Sequence, residues 1–325
     1  MATRTMFFFA LFLSAVLFPL SAWAQNPLQK ITIAYPSRSI VSIDLFVAQD
    51  KGFFREEGLA TELVQVRGNV SIAAALAGEI HAVAAIGTVV RAIERSDVPL
   101  KVLAVSLKRP LFWLVARSEY TSIGALKGKI LGTTTFGGTQ HLAAEHMLRK
   151  GGLDPEKDIT VIVAGDVPAQ LQSLVTGVIQ AAALSPPTII LARDKFKMKI
   201  LGSSVDEFSS PQNGTAVSEK LLREKPDLVK RILRARSRAT RYFWENEQGS
   251  TEVLAKYLKV DYPVARESYR LSRASFTAKG VLSDQEMRDF LKADAQILGF
   301  PRPVEPSKVF DFSFQRTVNQ ELKSR

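Results

Sequence analysis

Apolar residues fall in short blocks separated by glycine-, serine- and proline-rich turns, and the order of those blocks repeats. Residues 31–35, ITIAY, read as a strand, followed by a loop at 36–39, a helical stretch carrying Ile43, Phe46 and Val47, and a stop at Lys51 and Gly52. The same order returns at 129–131. A loop at 133–139 follows, then a helix with Ala144 and Leu148 on one face and a basic, glycine-stopped end at Arg149, Lys150 and Gly151. Downstream of each copy lies a matching piece, AALAGEIHAVAAIGT in the first half and SLVTGVIQAAALSPP in the second. Each predicts a short helix, a glycine stop, a buried strand and a loop. The offset is 99 residues both from Gly52 to Gly151 and from Gly78 to Gly177.

Strands alternating with helices predict parallel βαβ units, hence an α/β protein with two lobes, each a mainly parallel sheet flanked by helices. In open α/β sheets a ligand sits beyond the carboxyl ends of the strands. Four loops take that position, at 36–41, 86–88, 133–139 and 185–188, two from each half. Facing lobes would line one cleft with all four. Turn formers at 108–110 and 211–214 mark the expected crossings between lobes. The expected division is a discontinuous first lobe, residues 25–109 with 218–325, and a second lobe, 110–217. Helical periodicity is clear over 221–243 and 284–297, and this late part is expected to wrap back onto the first lobe.

The loop GTTTFGGT, 132–139, matches the phosphate-loop pattern except that Gly138 replaces the lysine that reaches the phosphates. What survives is backbone: N–H groups of Gly137, Gly138 and Thr139 at a helix start could hold an anion. Arg38 is the only charged residue in the four loops, and is expected either to grip an anion bidentately or to be solvated. Tyr35 and Phe136 could wall off an organic group or pack locally. Ser37, Ser39, Thr88, Thr135 and Ser185 offer hydroxyls, beside Gly87 and Pro186. Together these are the expected ligand-binding residues.

Composition narrows the chemistry. The chain has 325 residues and no cysteine, which removes disulfides, thiolate nucleophiles and zinc-thiolate sites. Residues 1–24 read as a cleaved secretory signal, with Arg4, an apolar run at 6–18 and the Ala22-Trp23-Ala24 cleavage site, so export to a periplasm is expected. The net charge is +11, and part of that excess lies in an amphipathic helix at 220–241 without interleaved aromatics. That is a solvated face rather than a nucleic-acid surface. In HLAAEH, His141 and His146 stand five residues apart, about 140° around a helix, so they cannot share an ion. With no G-x-S-x-G, and three histidines in contexts that suggest no base, no catalytic residue and no metal or other cofactor is expected.

The order ITIAYPSRSI, AQDKGFFREEGL, ALAGEIHAVAAIG, LKGKILGTTTFGGTQHLAAEHMLRKGGLDPEKDI and LQSLVTGVIQAAAL resembles the substrate-binding proteins of bacterial ABC importers. It is most similar to the group for aliphatic sulfonates, taurine and nitrate, which also includes binders of thiamine-pyrimidine precursors. The resemblance implies a two-lobed periplasmic-binding-protein fold of type II, a hinged monomer that closes on a small organic anion and delivers it to a permease in the inner membrane. It also implies two alternatives: a binder of a pyrimidine-like compound, or an enzyme related to pyrimidine-precursor synthases, whose cysteine-rich motif this chain lacks. The segment ALSPPT departs from the group's frequent Trp-Glu-Pro and keeps only a proline there.

Overall fold

The structure, a computed structural model, describes residues 27–205, 207 and 210–323. The expected signal peptide lies outside the described residues. Ten strands form two five-stranded sheets among the described residues. They are β1 (Gln29–Tyr35), β2 (Leu59–Gln65), β3 (Ala82–Val83), β4 (Leu100–Leu107), β5 (Trp113–Ala116), β6 (Lys129–Thr133), β7 (Ile159–Val163), β8 (Ala181–Leu184), β9 (Lys199–Ser203) and β10 (Asn213–Ser218). The first sheet runs β2-β1-β3-β10-β4 and the second β7-β6-β8-β5-β9. Strand for strand, the second order repeats the first.

Three strands in each sheet are parallel, β2-β1-β3 and β7-β6-β8, joined by crossover helices. The fourth is borrowed. β10 returns from the second half to pair antiparallel with β3 and β4, and β5 pairs antiparallel with β8 and β9. Each sheet is therefore mixed, because a strand arriving directly from the other half has no crossover helix to turn it parallel.

Period-2 alternation sends β1 residues to two cores. Ile31, Ile33 and Tyr35 join a cluster with Leu45, Phe46 and Phe243, whereas Ala34 joins Val83, Ile86 and Phe290 on the opposite face. The second sheet is likewise covered on both faces. The repeat ends in matched glycines: Gly78 and Gly177 close the helices Gly68–Ala77 and Val167–Thr176 in the left-handed region, at φ 84° and 82°. The other pair differs by one residue. Gly52 is left-handed at φ 73°, yet its counterpart is Gly152 at 86°, while Gly151 is an ordinary C-cap at −82°.

Late helices brace both lobes. The helix Asp284–Leu298 opens on a capping box formed by Ser283 and Glu286. It packs Met287, Phe290 and Leu291 into the first-lobe core, and Ile297 and Leu298 against the second. The basic helix Pro226–Glu245 buries Leu228, Ile232 and Ala235, while Arg234 pairs with Glu57 and Glu321, and Arg238 with Glu56. Much of the positive run is thus paired within the fold.

Candidate functional site

The loops at the carboxyl ends of the strands meet in one cleft. Its walls are Pro36, Ser37, Ser39, Val41, Gly68, Ala85, Thr88, Phe112, Thr134, Thr135, Gly138, Thr139, Gln140, Val167 and Gln212. No side chain in that set is ionisable. Five helices begin at the lining: Ile43–Asp50 with its preceding turn Ile40–Ser42, Gly68–Ala77, Ile86–Ser96, Thr139–Lys150 and Val167–Thr176. A helix start carries roughly half a positive charge, offset at Val167–Thr176 by the Asp166 carboxylate that caps it. The cleft lining is thus built of helix starts and hydroxyls.

The cleft is nearly shut. It encloses about 50 Å³, or about 520 Å³ with its open mouth, whereas drug-sized pockets occupy about 300–1,000 Å³. Contacts span it: Ile40 N donates to the Pro186 carbonyl at 3.0 Å, and Val167 N to Ser37 Oγ at 3.3 Å. At the mouth Gln65 Nε2 donates to Asp166 Oδ2 at 2.9 Å. Gly87 allows the tightest approach, since a Cβ there would lie 2.1 Å from Thr139 Oγ1.

The structure brings Ser37, Ser39, Thr88, Thr135, Gly138 and Thr139 into the lining. Ser39 Oγ and, behind the opposite wall, Ser185 Oγ are buried without a hydrogen-bond partner. Such hydroxyls are costly unless a ligand or water meets them. Pro186 contributes its carbonyl to the interlobe bond and precedes a cis peptide to Pro187. Gly87 lies at the closure contact rather than in the lining.

Gly137, like Gly87, Ser185 and Pro186, lies outside the lining, and three further expected side chains turn away from the cleft. Arg38 is exposed, because the buried Ser37 and Ser39 on either side face inward and turn it out. Phe136 is 58% exposed, its ring edge-on to His141 at 5.7 Å. Tyr35 is buried in the first-lobe core, edge-on to Phe46 at 5.3 Å. The phosphate-loop reading changes too. Gly137 N donates to His141 Nδ1 at 3.1 Å and Gly138 N to the Thr135 carbonyl at 3.2 Å, so two of the three N–H groups expected to hold an anion are spent within the loop. We expect Arg38→Ala to change ligand affinity by no more than about fivefold, the ceiling for an exposed charge. Titration calorimetry checks this, and a hundredfold loss would put Arg38 back in the site.

Other site residues gave no sequence signal. Gln140 is 4% exposed and holds three segments together. Its Oε1 accepts from Thr134 N at 2.8 Å, while Nε2 donates to Gln170 Oε1 at 2.8 Å and to the Ala183 carbonyl at 2.7 Å. Gln212 sits in the return crossing, its Oε1 accepting from Leu111 N at 2.9 Å, so the two crossings are bonded side by side. A glutamine at a helix start or in a turn reads as solvated, and only the fold reveals otherwise. His81 Nδ1 accepts from Thr32 N at 3.1 Å, a satisfied edge histidine. Among the described residues no cluster of three or more His, Cys, Asp or Glu could hold a metal ion.

The NMT1/THI5-like family pattern matches residues 39–250, from the first cleft loop through both crossings. The chain belongs to the NMT1/THI5-like family. Two relatives by sequence are YtlA of Bacillus subtilis (strain 168), 28% identical over 207 residues, 59% of this chain and 58% of YtlA, and the riboflavin-binding protein RibY of Chloroflexus aurantiacus, 27% identical over 220 residues, 65% of this chain and 62% of RibY. The chain thus spans about three fifths of the length of the curated relatives it matches. By structure, the NMT1/THI5-like chain is similar to the alkanesulfonate-binding protein SsuA of Xanthomonas axonopodis pv. citri bound to MOPS. The TM-score is 0.69 at 17% identity, covering 86% of this chain and 98% of SsuA. That likeness establishes the two-lobed periplasmic-binding-protein fold.

Proposed function

We propose that this protein is an extracytoplasmic solute receptor that closes on a small organic anion, a sulfonate or carboxylate, and delivers it to an ABC-type permease without chemical change. The observation that carries this is the cleft itself: helix starts and hydroxyls converge where no side chain is ionisable. Such a lining favours a ligand oxyanion through oriented dipoles and offers no general base or nucleophile. SsuA, a structural neighbour, has MOPS bound, which supports the sulfonate class. The protein acts as a monomer in the periplasm, its first 24 residues removed on export. The lobes that move are residues 25–109 with 218–325 and residues 110–217, except that β10, bonded between β3 and β4 in the first sheet, moves with the first lobe.

One observation favours a second reading. The lining lacks any cation, and Phe112, Val41 and Val167 give it apolar walls, which suit a neutral heterocycle of the pyrimidine type. A relative, RibY, is a riboflavin-binding protein. A thermal-shift screen of sulfonates, carboxylates, nitrate, pyrimidines and riboflavin separates the readings. A ligand that binds only the folded state stabilises it by about 2.7 kcal/mol at a hundredfold excess over its Kd. Stabilisation by neutral heterocycles alone would replace the anion reading with the second one. Mass spectrometry of the recovered ligand tests the absence of catalysis, since any conversion would make the protein an enzyme.

A further inference from the structure

Arg91 is 2% exposed, and its guanidinium joins four segments. Nε and Nη2 donate to one oxygen of Asp294 at 3.2 and 2.8 Å, and Nη2 also to Ser210 Oγ at 3.0 Å. Nη1 donates to the Gly87 carbonyl at 3.1 Å and to Thr139 Oγ1 at 3.2 Å. Asp294 belongs to the bracing helix Asp284–Leu298, Ser210 to the return crossing, and Thr139 to the cleft wall of the second lobe. A hydroxyl that accepts from a guanidinium keeps its own hydrogen to give to another acceptor. Arg91 therefore makes Thr139 a donor, in a cleft where donors must do the work of a cation.

Glu94 stands three residues along the same helix and meets Asp294. Both Glu94 oxygens and the second Asp294 oxygen are buried without any other hydrogen-bond partner. Two carboxyl groups so placed hold one proton between them. The charges facing Glu94 are Asp294 from the bracing helix and Arg91 and Arg95 from its own. Across the lobe boundary Arg91 and Arg95 also act on His141, which sits beside Glu145 and Arg149. Burial first, then Asp294, pushes the Glu94 carboxyl up to about 8.

We infer that Arg91 is the positioning residue of the cleft: on closure it takes the Thr139 hydroxyl as acceptor and turns it into a donor to the ligand. This rests on the receptor reading above. Opening withdraws Thr139 from Arg91 and ends that hydrogen bond.

The absence of cysteine lets spin labels be placed at will on the mature chain. Ala73→Cys and Gln172→Cys, both exposed, sit on the helices Gly68–Ala77 and Val167–Thr176 that begin on opposite walls. Electron-electron double resonance without ligand should show a longer interlobe distance more populated in Thr139→Val than in the wild type, and not in Thr139→Ser. Arg91→Lys, with fewer donors and no planar fork, should resemble Thr139→Val. A Thr139→Val distribution equal to wild type would overturn the inference; a purely structural Arg91 would alter stability alone. Methanesulfonate, titrated by calorimetry, should bind at least about tenfold more weakly to Thr139→Val, the loss of one hydrogen bond to a charged group. Wild-type affinity in Thr139→Val would overturn the donor role. No methanesulfonate binding by the wild type, with the distances behaving as described, would defeat the sulfonate reading and leave the Arg91–Thr139 latch standing.

Discussion

Asp44→Ala is expected to cost about 3–5 kcal/mol of folding stability, the loss seen when one partner of a buried ion pair is removed. Asp44 is fully buried on the helix Ile43–Asp50, directly after the first cleft loop, and its partner Arg236 is 4% exposed. Arg236 Nε and Nη2 donate to one Asp44 oxygen at 3.1 and 2.5 Å. The same guanidinium donates to Thr215 Oγ1 at 2.9 Å, to Asn213 Oδ1 at 2.8 Å and to the Gly214 carbonyl, so it also fastens the returning strand β10. Without Asp44 that positive charge stays buried with only neutral acceptors. Natural domains hold only about 5–15 kcal/mol in total, so the variant sits near the edge of folding. Urea denaturation measures the difference, and a loss under about 1 kcal/mol would show that the pair is not what fixes β10. The double variant Asp44→Leu with Arg236→Met separates charge from packing. It removes both charges at once and is expected to recover most of the loss.

That pair also marks a limit of what the sequence discloses. Neither Asp44 nor Arg236 stands out in the chain: one lies in an apolar helix after a loop, the other in a run of basic residues that reads as a solvated face. Arg236 is buried because it occupies the inward side of the helix beside Ile232, Ala235 and Ala239. The βαβ order and the matched pair Gly78 and Gly177 were legible because they are local, set by strand and helix periods and by a left-handed turn at the helix end, whereas the other pair is offset by one residue, at Gly152. The borrowed strands β5 and β10 were not. Their partners lie far away in the chain, and no local pattern says that a strand crosses from one sheet into the other. At the cleft the logic is similar. Backbone position was readable, so the loops holding Ser37, Ser39, Thr88, Thr135 and Thr139 were found. Side-chain direction was not. Arg38 faces solvent between two inward serines, and Gln140 faces inward where a helix start usually meets water.

Gly87→Ala should leave the lobes folded and prevent them from closing, lowering ligand affinity roughly 10- to 150-fold. The argument separates two effects of one methyl group. Gly87 lies in the first turn of the helix Ile86–Ser96 and is not among the positive-φ residues, so an alanine fits the backbone. Replacing glycine by alanine in a helix favours the helix by up to about 1 kcal/mol. The new Cβ, however, would lie 2.1 Å from Thr139 Oγ1 and 3.0 Å from the Pro211 carbonyl. Thr139 belongs to the other wall, so the severe clash exists only when the lobes are together, whereas the contacts to the Pro211 carbonyl and, at 3.1 Å, to Arg91 Nη1 are tight but not overlapping. Relief requires either Thr139 to turn away from Arg91 or the lobes to stop short. Either way the charge-assisted bond from Arg91 is lost, about 1.5–3 kcal/mol, which is the affinity change given. Calorimetry on the variant, with a thermal melt alongside, reads both halves. Unchanged or raised melting temperature with weakened binding is the expected result. Wild-type affinity would mean that the gap between Gly87 and Thr139 plays no part in closure, whereas a lowered melting temperature would mean that the contact belongs to the folded core rather than to a cleft that opens.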